Sequence, residues 1–259
     1  MTTVRDVYDY IDAIAPFSGQ MDFDNSGLLV GDPNKVVQKI AVCLDITCDT
    51  VGEAMEQGAD LMVSHHPVLF KARKKLLQRD PAYLLVSGGM SAVCAHTNLD
   101  VAVGGVNDVL AEIFSLSKVE AVSTESVPAP MVRVGFLKES MRAIELAATA
   151  AELLSAKVRW CDGGHSIETL AVCGGSGGDL VADVAALGVD ALLTGDADYH
   201  DFLDAEQLGV TLIAAGHFET EIPIVSVLAQ KLAERCGMEY TCPDGQLALF
   251  SILLTDETI

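Results

Sequence analysis

Positive charge is what this chain has least of. Sixteen Lys and Arg stand against 37 Asp and Glu in 259 residues, a formal net charge of -21 at neutral pH. So acidic a surface repels a phosphate backbone, whose non-specific affinity comes from neutralisation by Lys and Arg, and nucleic acid is not an expected partner. The one basic cluster, Lys71-Ala72-Arg73-Lys74-Lys75, reads as a solvated loop face. Long apolar runs are missing too: no stretch approaches the roughly 20 residues a membrane helix needs, and the N-terminal residues lack a basic region followed by an apolar one. A soluble, cytoplasmic protein without membrane association is expected. Seven cysteines (Cys43, Cys48, Cys94, Cys161, Cys173, Cys236 and Cys242) are an odd number without CxxC spacing. They point to packing rather than to disulfides or thiolate ligands.

What is present is an apolar half of the sequence, ample for a core, arranged in alternating helix and strand patterns. Val4, Val7, Tyr8, Ile11 and Ile14 fall at helical spacing behind a capping box of Thr3 and Asp6. Residues 28–30 read as a short strand and 39–46 as a buried one. Asp49 is placed to cap a helix that stops at Gly58, and the apolar run Leu61-Met62-Val63 then reads as a strand. Asp80-Pro81 opens another helix, ending at Gly88 before a strand over 91–95. Such alternation predicts an α/β fold with mixed, mostly parallel sheets.

A helix over 106–114 is expected to close a first lobe, with 115–130 as linker. Strands at 132–137, 158–161, 169–173, 191–193 and 211–214, a helix capped by Ser140, another over 220–236 and a closing strand over 247–254 make a second set. We assign residues 1–127, completed by 222–259, to lobe 1 and 128–221 to lobe 2. The lobes resemble each other: Gly58-Ala59-Asp60-Leu61-Met62-Val63-Ser64-His65-His66 matches Gly188-Val189-Asp190-Ala191-Leu192-Leu193-Thr194-Gly195-Asp196 in pattern. Each continues to a strand with a histidine at its end, and each histidine precedes a carboxylate by four residues: His96 and Asp100, His217 and Glu221. Either a duplication or the general likeness of parallel α/β units accounts for this.

Ligands of open α/β sheets collect outside the carboxyl ends of the strands, where His65, His66, His96 and His217 fall. Any one of them alone reads more simply as a hydrogen-bonded structural histidine. Neighbouring side chains on a strand point to opposite faces, so His65 and His66 share one site only where the strand breaks at Pro67, and the pair suits two metals better than one. Together with Asp100 and Glu221 they form a nitrogen and oxygen donor set suited to Zn²⁺, Mn²⁺ or Fe²⁺. Asp45 and Asp196 end strands nearby and are placed to orient ligands or to cap helices. The run Gly174-Gly175-Ser176-Gly177-Gly178 reads as a tight strand-to-helix turn or a phosphate cradle without a P-loop lysine.

Several segments taken together are similar to the NIF-three-like family (NGG-one-interacting-factor-three-like), whose members are also known as type 2 homologues of GTP cyclohydrolase I. They are Asp24-Asn25-Ser26-Gly27-Leu28-Leu29-Val30-Gly31, Ser64-His65-His66-Pro67, Ala95-His96-Thr97-Asn98-Leu99-Asp100, Thr194-Gly195-Asp196 with Tyr199-His200, and Gly216-His217-Phe218-Glu219-Thr220-Glu221. The resemblance implies two α/β lobes, two divalent metal ions per chain at strand ends between them, and a ring-shaped homohexamer. It makes His65, His66, Asp100, His217 and Glu221 the metal ligands, with Glu221 bridging, and His96 an active-site proton carrier or supporting residue. His200 is expected nearer the site than His165. Longer members carry a central insert that this chain does not match.

The reading is a dinuclear metal-dependent hydrolase acting on a small-molecule substrate, a nucleotide or other phosphorylated compound. For GTP, the relatives' name implies attack of water at C8 of the guanine ring and loss of formate. The alternatives are a phosphoesterase and a metal-binding or partner-binding ring without turnover.

Overall fold

The computed structural model describes residues 1–236, 239–241 and 247–251. The described chain divides into two compact units, Met1–Leu99 with the segment from Ile224, and Asp100–Pro223. Both are α/β, and each is built on a six-stranded mixed sheet.

In the first unit, α1 (Val4–Ile14) starts where expected, Thr3 and Asp6 exchanging the two bonds of a capping box. Then come β1 (Gly27–Val30), β2 (Lys39–Cys43), α2 (Cys48–Glu56), β3 (Leu61–Ser64), α3 (Pro81–Ser87), β4 (Ser91–Cys94) and α4 (Thr97–Val101), whose Asp100 and Val101 already belong to the second unit. Thr47, not Asp49, caps α2, its hydroxyl accepting from Thr50 N–H at 3.1 Å. Strands β2, β3 and β4 are parallel neighbours, and β1 is added antiparallel to β4. Ala41, Cys43, Met62 and Ala92 face α2 and α3 in one apolar cluster with Val51, Ala54 and Leu85.

The second unit contains α5 (Val106–Ile113), β5 (Ser117–Val122), β6 (Val132–Met141), α6 (Ala143–Leu153), β7 (Arg159–Cys161), β8 (Ile167–Ser176), α7 (Val181–Ala186), β9 (Ala191–Asp196), α8 (Tyr199–Leu208), β10 (Thr211–Ala214) and α9 (His217–Glu221). The order is β5-β6-β8-β9-β10-β7, with β8, β9 and β10 parallel and the remaining pairs antiparallel. Both faces of this sheet are covered. Leu170, Val172, Leu193 and Ile213 pack with Leu110 and Leu146, and their neighbours Ala171, Cys173, Leu192 and Leu212 pack with Val181, Val184 and Ala205 on the other side. That period of two is why these strands read as continuous apolar runs.

Several expectations need correction. The division falls at Leu99/Asp100 rather than near 127, because α5 buries Leu110, Ala111 and Phe114 against the second sheet. The expected linker 115–130 contains β5, which pairs with β6 and is exposed along most of its length, so it shows no apolar period. Ser140 does not start α6: β6 continues to Met141, and the Glu145 carboxylate accepts from Arg142 N–H at 2.9 Å at the helix start. The helix expected over 220–236 is two, α9 and α10 (Pro223–Cys236), since Pro223 supplies no N–H to continue the first. Both sheets are mixed, as expected, and among the described residues three strands of each pair in parallel. Strands β11 (Glu239–Thr241) and β12 (Leu247–Ser251) extend the first sheet, β12 antiparallel to β2. The rest of the expected closing strand, 252–254, lies outside the described residues, as does Cys242. The other six cysteines form no disulfide among the described residues.

The internal repeat has a structural counterpart. β2-α2-β3-α3-β4 and β8-α7-β9-α8-β10 share one topology, and the matching aspartates do the same work. Asp60 accepts the N–H groups of Gln38 and Lys39 at 2.8 and 3.2 Å, where β2 begins. Asp190 accepts those of Glu168 and Thr169 at 2.9 and 2.8 Å, near the start of β8.

Within the second unit, Arg133 on β6 is 2% exposed although charged. Its guanidinium pairs with Asp108 and donates to the carbonyls of Pro130 at 2.6 Å, Val101 at 3.0 Å and Ala102 at 3.2 Å. Arg133→Met is expected to cost on the order of 3 kcal/mol, because it leaves a carboxylate and several carbonyls without their donor. Equilibrium urea denaturation measures this, and an unchanged midpoint would show that the guanidinium contributes nothing net.

Candidate metal centre

Strand β3 ends at Ser64, and the next two residues carry imidazoles. The His65 side chain turns inward, 1% exposed, and its Nδ1 donates to Ala95 O at 2.9 Å. His66 donates from Nδ1 to Asp45 Oδ1 at 2.8 Å. His96, two residues after β4, donates from Nδ1 to Asp24 Oδ1 at 2.8 Å. Each acceptor fixes the tautomer with the lone pair on Nε2, the arrangement by which metal-binding histidines are oriented. The three rings are 5.0, 5.2 and 5.5 Å apart between centroids, and the three residues offer ring nitrogens within 4.8 Å of one another. His96 therefore belongs to this cluster geometrically as fully as His65 and His66 do. Phe70 meets the His96 ring edge-on at 6.1 Å and 89°.

Asp24 is a functional candidate that no local sequence pattern marks, since its partner His96 is 72 residues away. It sits in the quoted Asp24-Asn25-Ser26-Gly27 segment, and its side chain has no solvent exposure. Besides holding His96, it accepts from Thr97 N–H at 3.0 Å and Thr97 Oγ1 at 2.6 Å, so it fixes the first turn of α4. Burial pushes its carboxyl up, but the bonds from His96, Thr97 and Asn25 N–H outweigh that and hold it well below the ordinary carboxylate range.

The second unit supplies another set. Asp100 on α4 and Glu221 at the end of α9 are 7% and 3% exposed, and their carboxylate oxygens lie within 4.8 Å of one another. His217 and Glu221 share one face of the short α9, with Nε2 3.2 Å from Glu221 Oε2. Asp196, at the end of β9, accepts from His217 Nδ1 at 2.7 Å, the orienting role open to it in the sequence. Gly216 takes φ +94, a conformation that lets the chain turn sharply from β10 into α9.

The glycine run 174–178 is neither a simple turn nor an open loop. Strand β8 continues through it to Ser176, and Gly175, at φ +67, lies against the Glu221 carboxylate: a Cβ there would fall 2.2 Å from Oε1. Only a residue without a side chain leaves room for the acid. Cys173, two residues earlier, is buried, and burial together with Asp100 pushes its thiol up to about 12.

His165 is a structural residue, its Nε2 3.2 Å from Asp190 Oδ1. His200 is exposed on α8 against Tyr199 and joins none of the candidate metal groups among the described residues. The donor chemistry in both units, oriented imidazole nitrogens and buried carboxylates without a thiolate, fits divalent cations of the Zn, Fe or Mn type.

Two α/β units whose strand ends carry clustered imidazoles and carboxylates define a protein with candidate groups for metal binding, and relatives share this architecture. The chain belongs to the Duf34/NIF3 (NGG1p interacting factor 3) family, whose model matches residues 2–243. It is 36% identical over 238 residues to the "GTP cyclohydrolase 1 type 2 homolog" of Clostridium acetobutylicum, covering 88% of this chain and 89% of the relative. Among solved structures, a Bacillus cereus protein related to NIF3 superposes with a TM-score of 0.84 at 20% identity, covering 92% of this chain and 94% of that one. HcgD from Methanocaldococcus jannaschii gives 0.79 at 25% identity, over 90% and 94% of the two chains. The first of these two likenesses shows the fold alone.

Because the Asp24 carboxyl is depressed in the folded state, the stability it contributes is present above the unfolded value near 3.9 and is lost as pH falls through the folded one. In metal-free protein, Asp24→Asn is expected to lower Tm at neutral pH, and the gap from the parent should narrow only below about pH 4. Thermal melts between pH 7 and 3 test this. A gap that stays constant through that range would show that the carboxylate's charge is immaterial.

Proposed function

We propose that this protein is a dinuclear metal-dependent hydrolase, similar to GTP cyclohydrolase 1 type 2, in which His65, His66, Asp100, His217 and Glu221 hold two divalent cations. The observation that carries the reading is the anchoring of every histidine in the set through Nδ1, to Ala95 O, Asp45 and Asp196, which orients the opposite nitrogen of each ring. Buried Glu221, seated on Gly175, would contribute its carboxylate to holding both cations. When bound, such cations lower the proton affinity of water and stabilise negative charge on the attacked group. His96, backed by the buried Asp24, is placed to carry a proton, and Asp24 stabilises the imidazolium formed when it does.

The surroundings of His96 support a planar, phosphorylated substrate such as a nucleotide. Phe70 offers a half-exposed ring beside it, and the basic cluster of this acidic chain begins at the next residue, Lys71. A second reading of His96, as a third imidazole ligand, is favoured by its nitrogen lying within 4.8 Å of those of His65 and His66. Assembly into a closed homohexamer rests on the family resemblance, and light scattering that gives a monomeric mass at low and moderate salt would remove it.

Elemental analysis is expected to give two metals per chain. Glu221→Ala should release both, whereas His217→Ala should mainly weaken one; a single metal in the parent would sink the dinuclear reading. Metal-loaded protein is then assayed with GTP for formate and with nucleotides for phosphate, which separates a cyclohydrolase from a phosphoesterase. His96→Ala should retain both metals and lose about 10²- to 10⁴-fold in turnover if the residue carries a proton, and should lose metal if it is a ligand. Fully metallated protein that yields neither product leaves a metal-binding ring without turnover.

A further inference from the structure

The separation of two buried carboxylates on different elements has to be fixed by something other than the acids themselves. Asp100 and Glu221 lie on α4 and α9, with oxygens within 4.8 Å of one another. Between their supports sits Asn107, on α5 and 1% exposed. Its Nδ2 donates to the carbonyl of Asp100 at 3.2 Å, and its Oδ1 accepts from Gly174 N–H at 2.7 Å. The next residue along that strand is Gly175, whose own N–H donates to Thr220 Oγ1 at 3.1 Å and whose missing side chain makes the seat for Glu221. One amide thus ties the backbone of one acid to the strand on which the other rests. Its contacts demand a donor at one end and an acceptor at the other. Asn supplies both in a short side chain, whereas ionised Asp cannot donate and Leu can do neither. Space is also fixed: a Cβ at Gly174 would come within 3.0 Å of Val106 Cγ1.

We propose that Asn107 is a positioning residue that sets the spacing of the Asp100 and Glu221 carboxylates and, through it, the affinity and geometry of divalent-metal binding. The glycine run 174–178, in this view, is a rest for a carboxylate and has no need of a phosphate. The inference depends on Asp100 and Glu221 being metal ligands, as argued under the proposed function, and its test separates the two claims.

Cobalt(II) is the probe, because its visible absorption reports coordination geometry independently of turnover. Metal-free parent, Asn107→Ala and Asn107→Asp are titrated with Co²⁺, and the Tm of each metal-free protein is recorded beside the titration. Both variants are expected to bind Co²⁺ about 10- to 100-fold more weakly with an altered spectrum. Asn107→Asp keeps the side-chain volume and the acceptor for Gly174, and carries the test if Asn107→Ala does not fold. Asp100→Asn and Glu221→Gln are titrated alongside. If these two weaken binding while either folded Asn107 variant keeps the parent's affinity and spectrum, Asn107 is merely structural and the inference is overturned, even with a lowered Tm. If Asp100→Asn and Glu221→Gln themselves leave binding unchanged, the ligand assignment fails and takes the inference with it.

Discussion

Tethering of imidazole rings by acceptors on their far side is the constraint on which the candidate centre rests. An untethered histidine at a strand end rotates and titrates as a surface group. One whose Nδ1–H is held by a carbonyl or carboxylate presents a defined lone pair in a defined direction. Here the acceptors come from the sheets themselves. Ala95 O, which holds His65, belongs to the residue that follows β4, so the parallel pairing of β3 with β4 sets where that ring sits. Asp45 follows β2 and Asp196 ends β9, each beside the strand whose end carries the histidine it holds. The sheets therefore act as jigs, and the apolar packing on their faces keeps the strand ends in place.

The two units meet this requirement by one plan. Asp60 and Asp190 close the entry to equivalent strands by accepting pairs of backbone N–H groups that would otherwise lack partners where a strand begins. The agreement extends from topology to individual hydrogen bonds, which general likeness among α/β units does not require. The strand ends have nonetheless diverged: the middle one of the three parallel strands in the first sheet leads into two histidines, whereas its counterpart in the second ends in Gly195 and Asp196.

How much of this was legible in the sequence follows from range. Thr3 with Asp6, Asp80 with Pro81, and the apolar strands β3, β9 and β10 are recorded in local spacing, and so were the strand-end histidines. The orienting carboxylates Asp45 and Asp196 could be guessed from position but not paired, since pairing is a tertiary fact. Asp24 and Asn107 stayed hidden because their partners are 72 residues away, at His96, and 67 residues away, at Gly174. Strand β5 has the sequence pattern of a linker because an edge strand open to solvent needs no apolar alternation. The glycine run stayed ambiguous since its purpose, making room for Glu221, is visible only once Glu221 is in place.

Cys173 shows what burial can withhold. Sulfur is the donor that would tilt a site toward soft ions, and this one lies on the strand that runs on to Gly175 and the carboxylate resting there. Burial and the nearby Asp100 push its thiol up to about 12, which disfavours at neutral pH the thiolate from which coordination and oxidation begin. With that sulfur buried and protonated, oxygen and nitrogen are the donors in the candidate metal groups. A change that let water reach that strand would ease formation of the thiolate and add a soft donor near the two carboxylates.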